Sequence, residues 1–102
     1  MVARALADWL RKRFGDRVQS VVLFGSVARG EADDESDIDM LVLVRDKLSR
    51  PEQKEIADYS YDLDLANDTL TQWFVETIDH WDIPAVRGSG LRKAVESEGI
   101  PV

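Results

Sequence analysis

Four residues in one stretch of the chain have the types and the spacing for chemistry on phosphate: Gly25, Ser26, Asp37 and Asp39. Gly25 permits a close backbone approach, and Ser26 at the start of a short helical turn would offer its hydroxyl and backbone N–H groups to an anion. Asp37 and Asp39 stand two apart on a predicted strand, so both carboxylates point to the same face. The stretch predicts a phosphate cradle beside a carboxylate pair.

The carboxylate pair predicts a divalent cation. Two like charges this close repel each other and would raise the pKa of one carboxyl unless a cation holds them. Mg²⁺ prefers carboxylate oxygens together with substrate phosphates, and two-metal sites activate an attacking oxygen while stabilising the leaving one. An isolated Asp-x-Asp is usually a pair of solvated acids, but here it follows Gly25-Ser26. The combination favours chemistry on a nucleoside triphosphate.

The elements that must position these residues follow from hydrophobic periodicity and from turn residues. Apolar residues at three- and four-residue steps predict helices, and runs rich in β-branched residues predict strands. In chain order we expect a helix over residues 3–14, strands over 18–24 and 38–44, a helix from Pro51 to about residue 67, a strand over 69–77 and a short helix over 91–97. The phosphate and carboxylate motifs therefore connect the end of the first strand to the start of the second.

One segment supports two interpretations. Residues 59–66 fit the apolar spacing of the helix that begins at Pro51, but they also alternate as a strand would. We favour the helix, because the strand would leave only a stub of helix after Pro51. The choice matters for function, since a strand would present the carboxylates of Asp62 and Asp64 on one face.

Length and composition indicate one small domain over residues 1–102. The chain is 44% hydrophobic and 32% charged, as in ordinary globular proteins. It contains no cysteine, which excludes disulfide scaffolds, cysteine-ligated zinc and thiol catalysis. Its apolar runs are far shorter than the roughly 20 residues of a transmembrane helix, and no signal-peptide pattern opens the chain. We therefore expect a cytoplasmic protein that does not bind membranes.

The charge balance argues against direct binding to DNA. Thirteen basic and twenty acidic residues give a net charge of −7, whereas affinity for duplex DNA rests largely on cationic contacts to phosphate. Six of the nine residues from Glu31 to Asp39 are Asp or Glu. A polyanionic substrate would therefore need a metal ion or a local basic patch.

The motif as a whole resembles a known family. Gly25-Ser26, ten intervening residues and then Asp37-x-Asp39, with the local spellings G-S-x-A-R-G and S-D-x-D, is similar to the signature of the minimal nucleotidyltransferases of the DNA polymerase β superfamily. The resemblance implies an α/β fold with a small mixed sheet flanked by helices. It also implies that Gly25 and Ser26 bind the β and γ phosphates of ATP and that Asp37 and Asp39 ligate Mg²⁺. Arg29 lies in the matching motif and is expected to have a supporting role, with the triphosphate or with the acidic loop.

The resemblance also raises the question of a third carboxylate. Members of the family commonly carry one on the strand that follows the intervening helix, where it completes the metal site or acts as general base. In the predicted strand over residues 69–77 the one acid is Glu76, near its end. The strand interpretation of residues 59–66 would supply Asp62 or Asp64 instead.

Minimal members of the family are often antitoxins encoded beside a HEPN-domain ribonuclease toxin. The resemblance implies that this chain binds such a partner and transfers AMP from ATP to one of its tyrosines. An acidic antitoxin suits a basic RNA-cleaving partner. Two alternatives stay open: a catalytically weakened module that neutralises its partner by occlusion, and a nucleotidyltransferase acting on a small molecule such as an aminoglycoside. The second is disfavoured because 102 residues leave little room for an acceptor domain.

Overall fold

The computed structural model describes residues 2–25, 27–30 and 37–102. The predicted phosphate ligand Ser26 and most of the acidic stretch, residues 31–36, lie outside the described residues. In the described part the elements are α1 (Val2–Phe14), a 3₁₀ turn (Gly15–Arg17), β1 (Val18–Phe24), β2 (Ile38–Val44), α2 (Arg50–Asn67), β3 (Thr71–Thr77), α3 (Ile78–Trp81), α4 (Pro84–Arg87), α5 (Gly90–Glu98) and β4 (Ile100–Pro101).

The strands form one mixed sheet with the order β3-β2-β1-β4. β1 runs antiparallel to β2 and to β4, whereas β2 and β3 run parallel and are joined through α2. A parallel pair needs a long crossover, and an α-helix is its usual form. The mixed sheet and its flanking helices confirm the predicted fold class. The registers place Asp39 beside Phe24 on β1 and beside Gln72 on β3.

The main core lies between the sheet and the helices α1 and α2. Leu6 and Leu10 of α1, Met40 and Val42 of β2 and Ile56 of α2 are all fully buried there. A smaller cluster on the opposite face of the sheet contains the buried side chains Phe24, Leu41 and Trp81, against which α5 packs through partly buried residues. The two faces of the sheet are therefore covered unequally.

Residues 59–66 are helical, so the strand interpretation of this segment is wrong. α2 begins with a capping box in which the Ser49 hydroxyl accepts from the Glu52 backbone N–H and the Glu52 carboxylate accepts from the Ser49 N–H. The helix continues to Asn67 and ends at Asp68, whose φ is 54°. Asp62 and Asp64 consequently lie on this helix and not on a strand.

Other boundaries differ from the predictions in small ways. β3 begins at Thr71 and not at residue 69, because the Asp64 carboxylate accepts hydrogen bonds from the Thr69 hydroxyl and from the hydroxyl and N–H of Thr71, which fixes the turn before the strand. α3, α4 and β4 were not predicted, since elements of two to four residues are too short for a periodic pattern.

No helix among the described residues has both the length and the apolar character needed to cross a membrane.

Candidate active site

The start of β2 holds the carboxylate pair. Asp37 directly precedes the strand and Asp39 is its second residue, so both side chains face the side opposite the main core. The pKa of the Asp39 carboxyl is raised above its ordinary value, first by burial and then by the negative charges of Asp37 and Glu98. The pair is thus a local concentration of negative charge in a partly desolvated place.

The end of β1 brings a turn against this pair. Gly25 has a φ of 80°, which favours glycine, and a Cβ atom added there would collide with the Oδ2 atom of Asp39. The turn then closes on itself, because the Arg29 N–H donates to the Gly25 carbonyl at 3.1 Å and the Gly30 N–H donates to the Val27 carbonyl at 3.2 Å. Glycine at position 25 therefore lets the predicted phosphate turn and the carboxylate lie in contact.

The end of α5 contributes Glu98, a residue that lies outside the two predicted motifs. The Arg29 guanidinium donates to the Glu98 carboxylate at 2.5 Å, and the two residues are 69 apart in the chain. Glu98 also helps to raise the pKa of Asp39. In the sequence, Glu98 stands out only through the ending Glu98-Gly99-Ile100, which resembles a frequent ending of the family. The packing of α5 against β1 brings Glu98 to the site.

On the other side of the pair, β3 presents an amide. The register sets Gln72 beside Asp39, and its Nε2 atom donates to the Oδ2 atom of Asp37 at 2.7 Å. This strand follows the intervening helix, where the family commonly carries its third carboxylate. The position next to the aspartate pair is therefore occupied by a hydrogen-bond donor without charge. Sequence reasoning missed Gln72 because its position depends on the strand register.

The structure does not bring the three candidates for a third carboxylate to the pair. Glu76 is in register with Leu43, roughly 13 Å along the strand from Gln72, and its carboxylate contacts the Nδ1 atom of His80 at 2.5 Å. Asp64 lies on the helix-covered face, where it binds Thr69 and Thr71. Asp62 is exposed on α2. Of the predicted site residues, Gly25, Arg29, Asp37 and Asp39 are gathered in one place.

The donor set suits a hard divalent cation. Across residues 2–25, 27–30 and 37–102, no group of three or more His, Cys, Asp or Glu side chains is arranged to hold a metal ion. Asp37 and Asp39 could supply two oxygen ligands, and Mg²⁺ commonly completes its shell with water and substrate phosphates. The pKa of Asp39 is raised first by burial and then by like charges, and a cation would offset the like-charge part.

The curated relatives that match this chain are all named as putative protein adenylyltransferases. A protein of Methanocaldococcus jannaschii named "putative protein adenylyltransferase MJ0141" is 40% identical over 55 residues, which are 54% of this chain and 56% of that protein. The matched segment thus spans about half the length of this relative. The nucleotidyltransferase domain family matches residues 3–97.

Solved structures of toxin–antitoxin complexes share the fold. A toxin–antitoxin structure with AMP-PNP superposes with a TM-score of 0.63 at 24% identity, over 95% of this chain and 69% of the matched one. A second, the tri-AMPylated HEPN toxin of Shewanella oneidensis in complex with MNT antitoxin, gives a TM-score of 0.58 at 22% identity, over 98% of this chain and 67% of the matched one. Since the family match spans nearly the whole chain and the architecture agrees with it, this chain belongs to the nucleotidyltransferase domain family.

Proposed function

We propose that this domain is an Mg²⁺-dependent protein adenylyltransferase that moves AMP from ATP to a tyrosine hydroxyl of a HEPN toxin and thereby acts as its antitoxin. The observation that carries the proposal is the contact between Gly25 and the Asp39 carboxylate, which sets the predicted phosphate turn against the carboxylate pair in a nucleotidyltransferase fold. The name of the Methanocaldococcus relative supports the reaction type, and the AMP-PNP and HEPN complexes support ATP and the partner.

Each residue of the site would have a separate task. Asp37 and Asp39 would hold the cation, which when bound neutralises phosphate charge and activates an attacking oxygen. Gly25 and Ser26 would hold the β and γ phosphates through the turn, and Arg29 would support the triphosphate. The acceptor oxygen forms a bond to the α-phosphorus while the bond from that phosphorus to the bridging oxygen of pyrophosphate breaks. The hydroxyl proton leaves to solvent or to a nearby base.

Loss of the carboxylates tests this proposal. The domain is incubated with α-labelled ATP, Mg²⁺ and the product of the neighbouring gene, as the proposed HEPN partner, and label on that product is measured. Asp37→Asn and Asp39→Asn should each lower transfer about a hundredfold or more, because each removes a ligand for the charge that balances phosphate. Both variants should keep the fold, since neutralising one acid relieves repulsion in the pair.

Glu76→Gln is the matched control for this experiment. It neutralises an acid on the same face of the sheet but at the far end of β3, and transfer should stay near the wild-type rate. Undiminished labelling by both aspartate variants would contradict the proposed reaction.

A binding-only antitoxin is the second candidate, and the amide of Gln72 beside the carboxylate pair favours it. Such a module would neutralise its partner by occlusion, with complex formation insensitive to ATP and to Asp37→Asn. If Asp37→Asn binds the partner as the wild type does but no longer neutralises it, this second candidate is wrong.

A further inference from the structure

Three strongly exposed apolar side chains lie together where α2 leads into β3. Tyr61 and Leu65 on α2 and Leu70 before β3 are 64%, 66% and 57% exposed, more than any other large apolar side chain in the described residues. With Asp64, Asp68 and Thr69 they line a groove of about 230 Å³. We call Tyr61, Leu65 and Leu70 the α2–β3 patch. Apolar surface gathered in this way marks an interaction site more often than isolated exposed residues do.

One member of the α2–β3 patch, Leu70, adjoins the carboxylate pair, whereas Tyr61 and Leu65 lie on α2, which covers the other face of the sheet. The Leu70 carbonyl accepts a hydrogen bond of 2.8 Å from the Ile38 N–H, between the two aspartates. Two residues further along, Gln72 donates to Asp37. A protein bound on the patch would therefore lie next to the place where the proposed transfer occurs.

The charge around the patch specifies what kind of surface fits it. Residues 55–86 hold eight acidic residues and neither lysine nor arginine, whereas the rest of the chain holds thirteen basic and twelve acidic residues. Of these acids, Asp64 and Asp68 line the groove, and Asp62 is exposed on α2 next to Tyr61. Glu55 and Asp58 are paired with Arg13 and Lys54, and Glu76 lies at the far end of β3. The net negative charge of the protein thus comes from the segment that contains the patch. A complementary surface carries lysine or arginine around an apolar side chain.

We propose that the α2–β3 patch docks the acceptor protein, which inserts an apolar side chain into the groove and sets basic residues against the surrounding acids. This inference rests on the proposed function, because it names how the same site receives its protein substrate. A second copy of this chain is a poor occupant. In a symmetric contact the acidic segment of one copy would face that of the other, and like charges there would oppose association.

The apolar part of the patch is tested by affinity for the neighbouring HEPN protein, measured by calorimetry. A double variant, Leu65→Ser with Leu70→Ser, should weaken binding about tenfold or more, because both side chains are buried away from water in the proposed complex. Ile83→Ser is the matched control, since Ile83 is 40% exposed and lies outside the patch. Its affinity should stay within about twofold of wild type.

Charge reversal tests the acidic surround. Asp62→Lys, on the exposed surface of α2, should slow association, whereas Asp8→Lys, an exposed acid of α1, should leave it nearly unchanged. Raising NaCl from about 50 to about 300 mM should weaken wild-type binding and should affect the Asp62→Lys variant less.

Binding and transfer are read separately, so failure of docking is distinguishable from failure of the proposed function. With the Leu65 and Leu70 double variant, KM for the HEPN protein should rise while kcat and the KM for ATP stay the same. Wild type that binds without transferring label would contradict the proposed reaction and leave the docking test intact. Equal affinity of wild type and double variant, no binding by wild type, or a wild-type dimer that the double variant abolishes would each overturn the docking proposal.

Discussion

The two faces of β2 differ in what they carry. On the face that α1 and α2 cover, Ile38, Met40, Val42 and Val44 are all buried and apolar. The opposite face begins with Asp37 and Asp39 and becomes apolar further along, where Leu41 joins the smaller cluster. One strand therefore fixes the fold with one set of side chains and presents the carboxylates with the alternate set.

Two acids on opposite sides of the sheet, Glu52 and Asp39, have pKa values that are shifted in opposite directions. At the start of α2 the Glu52 carboxylate accepts from the Arg17 guanidinium and from the Ser49 N–H, which lowers the pKa of Glu52 to about 2. The pKa of Asp39 moves the other way, through burial and through like charges. Hydrogen-bond partners hold Glu52 in its charged form, whereas burial and like charges disfavour the charged form of Asp39. The pKa shifts of the two carboxyls thus have opposite directions, which agrees with the proposed roles of Glu52 in stability and of Asp39 as a cation ligand.

The largest effect on stability should come from deleting methyl groups in the main core. Val42→Ala should lower the free energy of unfolding by about 2–3 kcal/mol, because Val42 is fully buried among α1 and α2 and the cavity cannot collapse easily. Val22→Ala makes the same chemical change on the opposite face, where Val22 is half-buried, and should cost about 1 kcal/mol. Urea denaturation measures both values. Equal costs would show that the smaller cluster supports the fold as much as the main core does.

An intermediate effect on stability is expected when Gln72, the amide beside Asp37 and Asp39, is replaced by an acid. Gln72→Glu removes the donor to Asp37 and adds a third negative charge, so without Mg²⁺ it should lower stability by about 1 kcal/mol. With Mg²⁺ the variant should gain more stability than wild type does, because three carboxylates bind the cation more strongly than two.

Thermal unfolding with EDTA and with MgCl₂ measures both parts of this prediction. Gln72→Ala separates them, since it removes the hydrogen bond without adding charge. If Mg²⁺ shifts the melting temperature of Gln72→Glu and wild type equally, position 72 does not face the cation.

The smallest effect should be the pH dependence of the Glu52 contact. Because folding lowers the pKa of Glu52 from 4.5 to about 2, its contribution to stability is present above pH 4.5 and is lost as the pH falls towards 2. Glu52→Gln should therefore be less stable than wild type at pH 7, and the gap should close over that range. Thermal unfolding at several pH values measures it.

Asp58→Asn is the control for this pH series, because Asp58 forms an exposed pair with Lys54 on α2. Exposed pairs contribute little, so this variant should differ little from wild type at any pH. A gap for Glu52→Gln that stays constant down to pH 2 would mean that the charge of Glu52 is not what stabilises the start of α2.

The longer elements could be predicted because their signals are local. The apolar positions of α1 and α2, the β-branched run of β1 and the apolar run of β2 each report their own secondary structure. The same holds for the placement of Asp37 and Asp39 on one face, which follows from the two-residue period of a strand. Residues 59–66 were ambiguous because both periods fit them, and the helix is the form in which Tyr59 and Leu63 pack against the main core.

The sequence by itself determined the two motifs, the elements that carry them and the mixed α/β class that their family resemblance implies. Only the tertiary structure decided which residues surround the carboxylate pair. Gln72 lies there because β3 pairs in parallel with β2 at one register, and Glu98 because α5 packs against β1. Both contacts join residues far apart in the chain, and such contacts depend on how whole elements pack, which no local pattern records. The tertiary structure also showed that Asp64 fixes the turn between α2 and β3 and that Glu76 lies at the far end of its strand, because both placements depend on the elements they contact.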